Sequence, residues 1–266
     1  MVTKSQVKYI QSLGHKKFRD EEGVFVVEGP KIVGELLAAP HMRLRQLYAL
    51  KEWTAPSPAA ARPQEHSATQ PPAYSAQPSP VRAIQPVEVS PADLERLSGL
   101  STPNQVLAVF EKPAFAPPDF GAGLTLVLDG IQDPGNLGTI VRIADWFGIQ
   151  RVMASPDSAD VFNPKAIQST MGSISRIPVI YSDPEPLLSR YPDLPVYAAL
   201  LEGKELYGME RIRRGVIIIG NESKGIRPAL QQRATHRITI PRVGEAESLN
   251  AAVATGIILS HLTGTG

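Results

Sequence analysis

The run Gly215-Val216-Ile217-Ile218-Ile219-Gly220 restricts the folds open to this chain more than any other segment. Consecutive β-branched residues with no polar position among them leave a strand without a solvated face. Strands of that kind lie inside sheets covered on both sides. The polar, glycine-bounded residues that follow, Asn221-Glu222-Ser223-Lys224-Gly225, come at the carboxyl end of that strand. Open α/β sheets hold their ligands at such ends, so the segment reads as a buried strand running into a ligand loop.

The same alternation continues on either side. Strand candidates occur at Leu124 to Leu128, Arg151 to Ala154, Pro178 to Tyr181, Val196 to Leu200, Val216 to Ile219 and Arg237 to Ile240, separated by helix-compatible stretches. The pattern predicts an α/β fold with a mostly parallel sheet and helices on both faces. A last helix is expected from about Ser248 to Leu262, with Ala251, Ala252, Thr255, Gly256, Ile258 and Leu259 giving a narrow face of small residues.

Upstream, the chain reads as a smaller α/β unit. It opens with an amphipathic stretch through Val7, Ile10 and Leu13, then a basic Gly14-His15-Lys16-Lys17-Phe18-Arg19, a strand candidate Val24 to Val27 and a helix candidate through Ile32, Val33, Leu36 and Leu37. Residues 54–91 hold nine Pro and eight Ala with almost no apolar periodicity, which predicts a disordered or polyproline-like stretch. Beyond it come a strand candidate Val87 to Val89, a helix with Ser90 as N-cap and Pro91 at its first position, and a strand through Val106 to Phe110. A linker at this place would leave about fifty residues on their own with a thin core. The Pro/Ala-rich stretch, at about 54–86, is therefore read as an insertion within one N-terminal domain of residues 1–112, with a second domain at 120–266.

Composition excludes several chemistries. There is no cysteine, hence no disulfide, thiolate zinc site or cysteine nucleophile, and the five histidines have no metal-ligand spacing. The reaction is expected to need no protein-held metal. No apolar run is long enough to cross a bilayer, and the start lacks the apolar core of a secretory signal, so a cytoplasmic location without membrane attachment is expected. A formal net charge of +1 gives little global attraction to nucleic acid, and any such partner must be held by local basic patches.

Three segments carry chemistry, each with an ordinary structural alternative. In Leu128-Asp129-Gly130-Ile131-Gln132-Asp133-Pro134-Gly135-Asn136, running on to Arg142, Asn136 could be a helix N-cap and Arg142 a solvated partner of Asp145. In Gly220 to Gly225, Glu222 could serve the dipole of the following helix. In Ile240-Pro241-Arg242-Val243-Gly244-Glu245-Ala246-Glu247-Ser248-Leu249-Asn250, Ser248 could be an N-cap. Neither Gly-x-Gly-x-x-Gly nor Gly-x-x-x-x-Gly-Lys-Ser/Thr follows any strand, which disfavours dinucleotide and nucleoside triphosphate enzymes.

Taken in order, Asn136-x-Gly-x-Ile-x-Arg142, Gly220-Asn-Glu-x-x-Gly225 and Ile240-Pro-x-x-Gly-x-x-x-Ser248-Leu-Asn250 resemble the three motifs of the SpoU (TrmH-like) family of RNA 2′-O-ribose methyltransferases. The opening, with Phe25-Val26-Val27-Glu28-Gly29, resembles the ribosomal-protein-like RNA-binding domain that many members carry. The resemblance implies a SPOUT-class domain whose C-terminal stretch is threaded into a trefoil knot that holds S-adenosylmethionine, with a homodimer formed through that domain. It implies main-chain binding of the methyl donor around Leu200, Leu201, Gly220, Ile240 and Leu249, and catalytic positions at Asn136, Arg142, Glu222, Ser248 and Asn250. Lys16, Lys17 and Arg19 are the candidate RNA contacts of the N-terminal domain, with a solvated loop as their alternative, and Arg211, Arg213 and Arg214 form a second basic cluster. The expected substrate is ribosomal RNA. Transfer RNA, or RNA binding without catalysis, are the alternatives.

Overall fold

The computed structural model of the chain describes residues 2–55, 85–115, 120 and 123–263. It divides into two compact units, one formed by residues 1–116 with 162–176 and the other by residues 117–161 with 177–266.

The first unit contains α1 (Lys4–Ser12), α2 (Lys16–Glu22), β1 (Val24–Glu28), α3 (Pro30–Ala38), β2 (Leu44–Ala49), β3 (Val87–Glu88), α4 (Pro91–Leu97) and β4 (Val106–Glu111). Thr3 and Gln6 close a capping box on α1. Ser90 caps α4 as the sequence predicts, its hydroxyl accepting the Asp93 N–H at 3.1 Å. The sheet order is β1-β4-β2-β3, antiparallel except for β2 against β3. Ile10, Leu13, Val24, Val26, Tyr48, Leu94, Leu97, Leu107 and Val109 form its core. β2 was not anticipated. Arg45 and Gln46 break the apolar pattern in its first half, and pairing with β4 rather than local periodicity makes it a strand. The Pro/Ala-rich insertion lies almost wholly outside the described residues.

The second unit contains β5 (Leu124–Asp129), α5 (Pro134–Trp146), β6 (Arg151–Ala154), β7 (Val179–Tyr181), α7 (Pro184–Leu188), β8 (Val196–Glu205), β9 (Gly215–Gly220), α8 (Pro228–Gln232), β10 (His236–Thr239) and α9 (Ala251–Thr263). The helix between β6 and β7, α6 (Pro164–Thr170), belongs with the first unit, an assignment that its position in the chain does not suggest. The sheet order is β10-β8-β9-β5-β6-β7, and every pairing is parallel. Val127, Met153, Val196, Ala198, Val216 and Ile218 pack with Leu188 of α7 and Leu230 of α8. The alternate residues Leu126, Leu128, Val152 and Ile217 are fully buried on the opposite face. There α5 and α9 pack on each other and against β6 and β9. Each such side chain contributes about 1.5–3 kcal/mol on burial, which explains why a run as apolar as Val216 to Ile219 is tolerated here and nowhere on a surface.

Two boundaries differ from expectation. β8 continues past Leu200 to Glu205, because its register against β10 jumps from Ala198↔Arg237 to Lys204↔Ile238 and the residues between bulge out of the ladder. The last helix begins at Ala251 rather than Ser248, because Asn250 caps it. Among the described residues no helix is long and apolar enough to cross a membrane.

Candidate active site

β10, β8, β9 and β5 are consecutive in the sheet, so their carboxyl ends form one rim. Leu200 and Leu201 lie in the β8 bulge, Ile240 directly follows β10 and Gly220 ends β9. Four of the five positions expected to hold the methyl donor thus fall on this rim. Leu200 and Ile240 are half-buried, whereas Leu201 is 78% exposed and its carbonyl accepts the Thr239 hydroxyl at 3.1 Å. Leu249, in the loop before α9, is 47% exposed.

Behind the rim, the chain leaves β5 through Gly130, at φ +72°, and enters α5 at Pro134. Asp133 caps α5 by accepting the Asn136 N–H at 2.8 Å, so the N-cap alternative for Asn136 is excluded. The Asn136 side chain points instead into a polar chain. Its Nδ2 donates to Glu222 Oε1 at 2.7 Å, and its Oδ1 accepts from Asn250 Nδ2 at 2.9 Å. Asn250 Oδ1 accepts the Ala252 and Val253 N–H groups at 3.0 and 3.3 Å. A carboxylate only accepts and helix N–H groups only donate, so both amides have one orientation that satisfies every bond. Residues 86 and 114 positions apart from Asn136 are held to it by side-chain hydrogen bonds.

Glu222 sits in a loop that folds back on itself: Asn221 and Gly225 exchange N–H···O bonds of 3.1 and 2.9 Å. A Cβ at position 220 would lie 2.4 Å from the Gly225 carbonyl carbon and the Ile226 nitrogen, so glycine is required there by the loop's own backbone. Main-chain binding of the methyl donor around Gly220, as the family resemblance implies, supplies a second reason, since a side chain there would also block close approach of a ligand. Asn221 Nδ2 donates to the Gly130 carbonyl at 2.6 Å, while its Oδ1 accepts the Ser223 and Lys224 N–H groups at 2.9 Å. This Asx-type turn was legible in principle, since Asn followed by small and polar residues favours it. α8 does not begin until Pro228, which removes the helix-dipole alternative for Glu222.

The remaining expected residues are not drawn into the polar chain. Arg142 is exposed on α5, six residues from Asn136 and so about 120° around the helix from it. No hydrogen bond or ion pair engages its guanidinium among the described residues, which excludes the expected alternative of pairing with Asp145. Ser248 is exposed and, since Asn250 caps α9, is not the N-cap. In the first unit, Lys16 and Lys17 lie exposed in the first turn of α2 rather than on a loop, and Lys17 is 3.9 Å from Glu21. Arg19 corrects the reading of that basic segment. It is 1% exposed, and its guanidinium donates to the carbonyls of Leu13 and Gly14 at 2.8 Å each, where it satisfies the turn after α1 instead of facing a partner. Among the described residues no group of three or more His, Asp or Glu is arranged to hold a metal ion.

The polar amide-carboxylate chain and the glycine-closed loop lie at the strand ends of a parallel sheet, the place where open α/β sheets hold their ligands. Residues 123–260 match the model of the SpoU rRNA methylase family, and residues 4–108 match the MRM3-like substrate binding domain. The chain belongs to the SpoU family. It is 31% identical over 266 residues to the 23S rRNA (guanosine(2553)-2′-O)-methyltransferase RlmP of Bacillus subtilis, covering 97% of this chain and 96% of the relative. Among solved structures it is similar to a TrmH-family protein from Porphyromonas gingivalis, at 37% identity and a TM-score of 0.81 over 98% of each chain. It is also similar to an AdoMet-bound rRNA methyltransferase from Sinorhizobium meliloti, at 28% identity and a TM-score of 0.80 over 98% of this chain and 95% of the other.

Proposed function

We propose that the chain transfers a methyl group from S-adenosylmethionine to a ribose 2′-hydroxyl of ribosomal RNA. The observation that carries this reading is the chain Asn250, Asn136, Glu222, in which one residue from each family motif is hydrogen-bonded to the next. A protein that kept the fold without the chemistry would have no need of that alignment, which disfavours RNA binding alone.

The residues fit the donor. Main-chain groups of the β8 bulge, Gly220 and Ile240 border the rim, and the exposed side chain of Leu201 offers apolar surface beside them. When bound, the donor supplies an electrophilic methyl group on a sulfonium. The reaction then needs an in-line approach of the ribose oxygen and loss of the hydroxyl proton, so positioning supplies much of the acceleration. Arg142, whose guanidinium is uncommitted among the described residues, contacts phosphate and hydroxyl oxygen and stabilises the developing alkoxide. A group that stays protonated in proteins is a poor base. Glu222 orients Asn136, and Ser248 reaches the substrate from the exposed loop. No metal is needed in this scheme.

The first unit supplies site choice, because ribose chemistry is blind to base identity. Lys16 and Lys17 are its basic contacts. In this reading the stretch after β10 forms the trefoil knot, residues 1–112 and 120–266 act as RNA-binding and methyltransferase domains, and the chain works in the cytoplasm as a homodimer. Trp146 at 85% and Val253 at 52% exposure, on the mutually packed α5 and α9, supply an apolar surface for the second copy.

The test is transfer of labelled methyl from S-adenosylmethionine to separated, unmodified ribosomal and transfer RNA, followed by alkaline hydrolysis, which leaves 2′-O-methylated linkages uncut. Label in alkali-resistant dinucleotides from ribosomal RNA is expected. Label only in transfer RNA would replace the substrate, and label in mononucleotides would replace the reaction.

A further inference from the structure

Arg227 takes no part in the motifs that carry the family resemblance, yet its side chain joins more strand ends than any other described above. It occupies the position before Pro228, where proline steric constraints favour extended backbone, and it is extended at φ −60°, ψ 146°. Its own N–H donates to Asp129 Oδ2 at 2.7 Å and its Nε donates to Asp129 Oδ1 at 2.6 Å, so both carboxylate oxygens are taken by one residue. The remaining guanidinium nitrogens lie 3.4 Å from Asp157 and 3.6 Å from Asp183. Asp129 ends β5, Asp157 follows β6 and Asp183 follows β7, while Arg227 itself closes the loop that leaves β9.

These bonds are unequal. Asp157 and Asp183 are 62% and 48% exposed, and exposed pairs contribute little. The Asp129 side chain is 4% exposed. A buried carboxylate left without partners is strongly destabilising, so this pairing fixes the geometry. The loop Gly220 to Arg227 is thereby fastened at both ends to one dipeptide: Asn221 to the Gly130 carbonyl, Arg227 to the Asp129 carboxylate. Glu222 lies between the two fastenings.

We propose that Arg227 is a positioning residue for methyl transfer, acting through Asp129 to set the loop that presents Glu222 to Asn136 and Gly220 to the methyl donor. The proposal rests on the methyltransferase reading above. A planar fork with several fixed N–H groups is needed to reach Asp129 while facing two further carboxylates. Lysine retains the charge and loses the fork.

The test uses the full-length chain with Arg227→Lys, Asp129→Asn and the double variant. Hydrogen exchange of the free protein is read first, at the Asn221 and Gly225 amides, and needs neither donor nor RNA. Faster exchange there in Arg227→Lys, with the core amides of β5 and β9 still protected, is expected. In methyl transfer, both single variants should lower kcat and raise KM for S-adenosylmethionine by about tenfold or more, with the double variant no worse than the weaker single one. Unchanged exchange in the loop, kinetic constants within about twofold of wild type, or losses that multiply in the double variant would each overturn the proposal. A variant that unfolds globally, with β5 and β9 exposed as well, would also overturn it, making Arg227 a stability residue. If the wild type itself transfers no methyl group, the activity reading fails, and the exchange result still decides whether Arg227 holds the loop.

Discussion

Replacing Gly220 with alanine separates two explanations of that glycine. Its φ lies outside the left-handed region, so alanine brings no intrinsic backbone strain. The obstacle is contact: the new methyl group would sit 2.4 Å from Gly225 C and Ile226 N and 2.7 Å from Gly225 O, all main-chain atoms. Carbon atoms pack at about 3.5 Å, so the loop must move by about 1 Å. Overpacking on this scale costs about 1–3 kcal/mol, or a fall in Tm of about 2–12 °C for a chain of this size. The same displacement would stretch the 2.7 Å bond from Asn136 to Glu222 to the limit of a hydrogen bond or beyond it. A misplacement of about 1 Å at a reacting centre costs on the order of 10²-fold in rate. Differential scanning calorimetry, calorimetric titration with S-adenosylmethionine and methyl transfer at saturating RNA measure the three effects. Gly220→Ala with wild-type Tm, donor affinity and rate would refute the argument from loop closure. A normal Tm with only donor affinity lost would instead favour the ligand-clearance explanation.

Other consequences follow from the same geometry. Asn250→Asp keeps the cap of α9, because a carboxylate still accepts the Ala252 and Val253 N–H groups, but it faces Asn136 acceptor to acceptor; methyl transfer should fall at least about tenfold while Tm stays near wild type. Asn250→Ala loses the cap as well and should cost about a further 1 kcal/mol in chemical denaturation. Arg142→Ala should abolish transfer and leave S-adenosylmethionine binding nearly intact by calorimetric titration; retained turnover would remove Arg142 from the site. Burial lowers the pKa of His41 below the ordinary histidine value, opposed by a smaller effect of the Ser175 backbone. The unfolded chain therefore takes up the proton first as pH falls, so this contribution to stability is intact above about pH 6.5 and is lost progressively below it. Unfolding free energies measured across that range should decline less steeply in His41→Gln than in wild type.

The strands were legible because a β-branched run such as Val216 to Ile219 cannot be solvated, and β5, β6, β9 and β10 lie within a residue or two of the positions their apolar patterns mark. The capping of α4 by Ser90 was equally local, a matter of one hydroxyl and an N–H three residues on. The motif positions Asn136, Glu222 and Asn250 were visible as residue types after strands, but their alternatives could not be settled there. Whether Asn136 caps a helix depends on Asp133 being closer to its first turn, and whether Asn250 or Ser248 opens α9 depends on which side chain reaches the free N–H groups. Arg19 shows the limit most plainly: within a basic run it looks like its neighbours, and only folding turns its guanidinium inward onto the Leu13 and Gly14 carbonyls.

What the sequence alone determined is therefore the local and periodic part: the parallel sheet, the polar loops that follow its strands, and the chemical types collected in them. The tertiary structure decided which of those side chains meet. Asn136 finds Glu222 and Asn250, and Asp129 finds Arg227, across separations of 86 to 114 residues. No local propensity encodes such pairings, since they exist only once the order of strands in the sheet has brought those loop ends side by side.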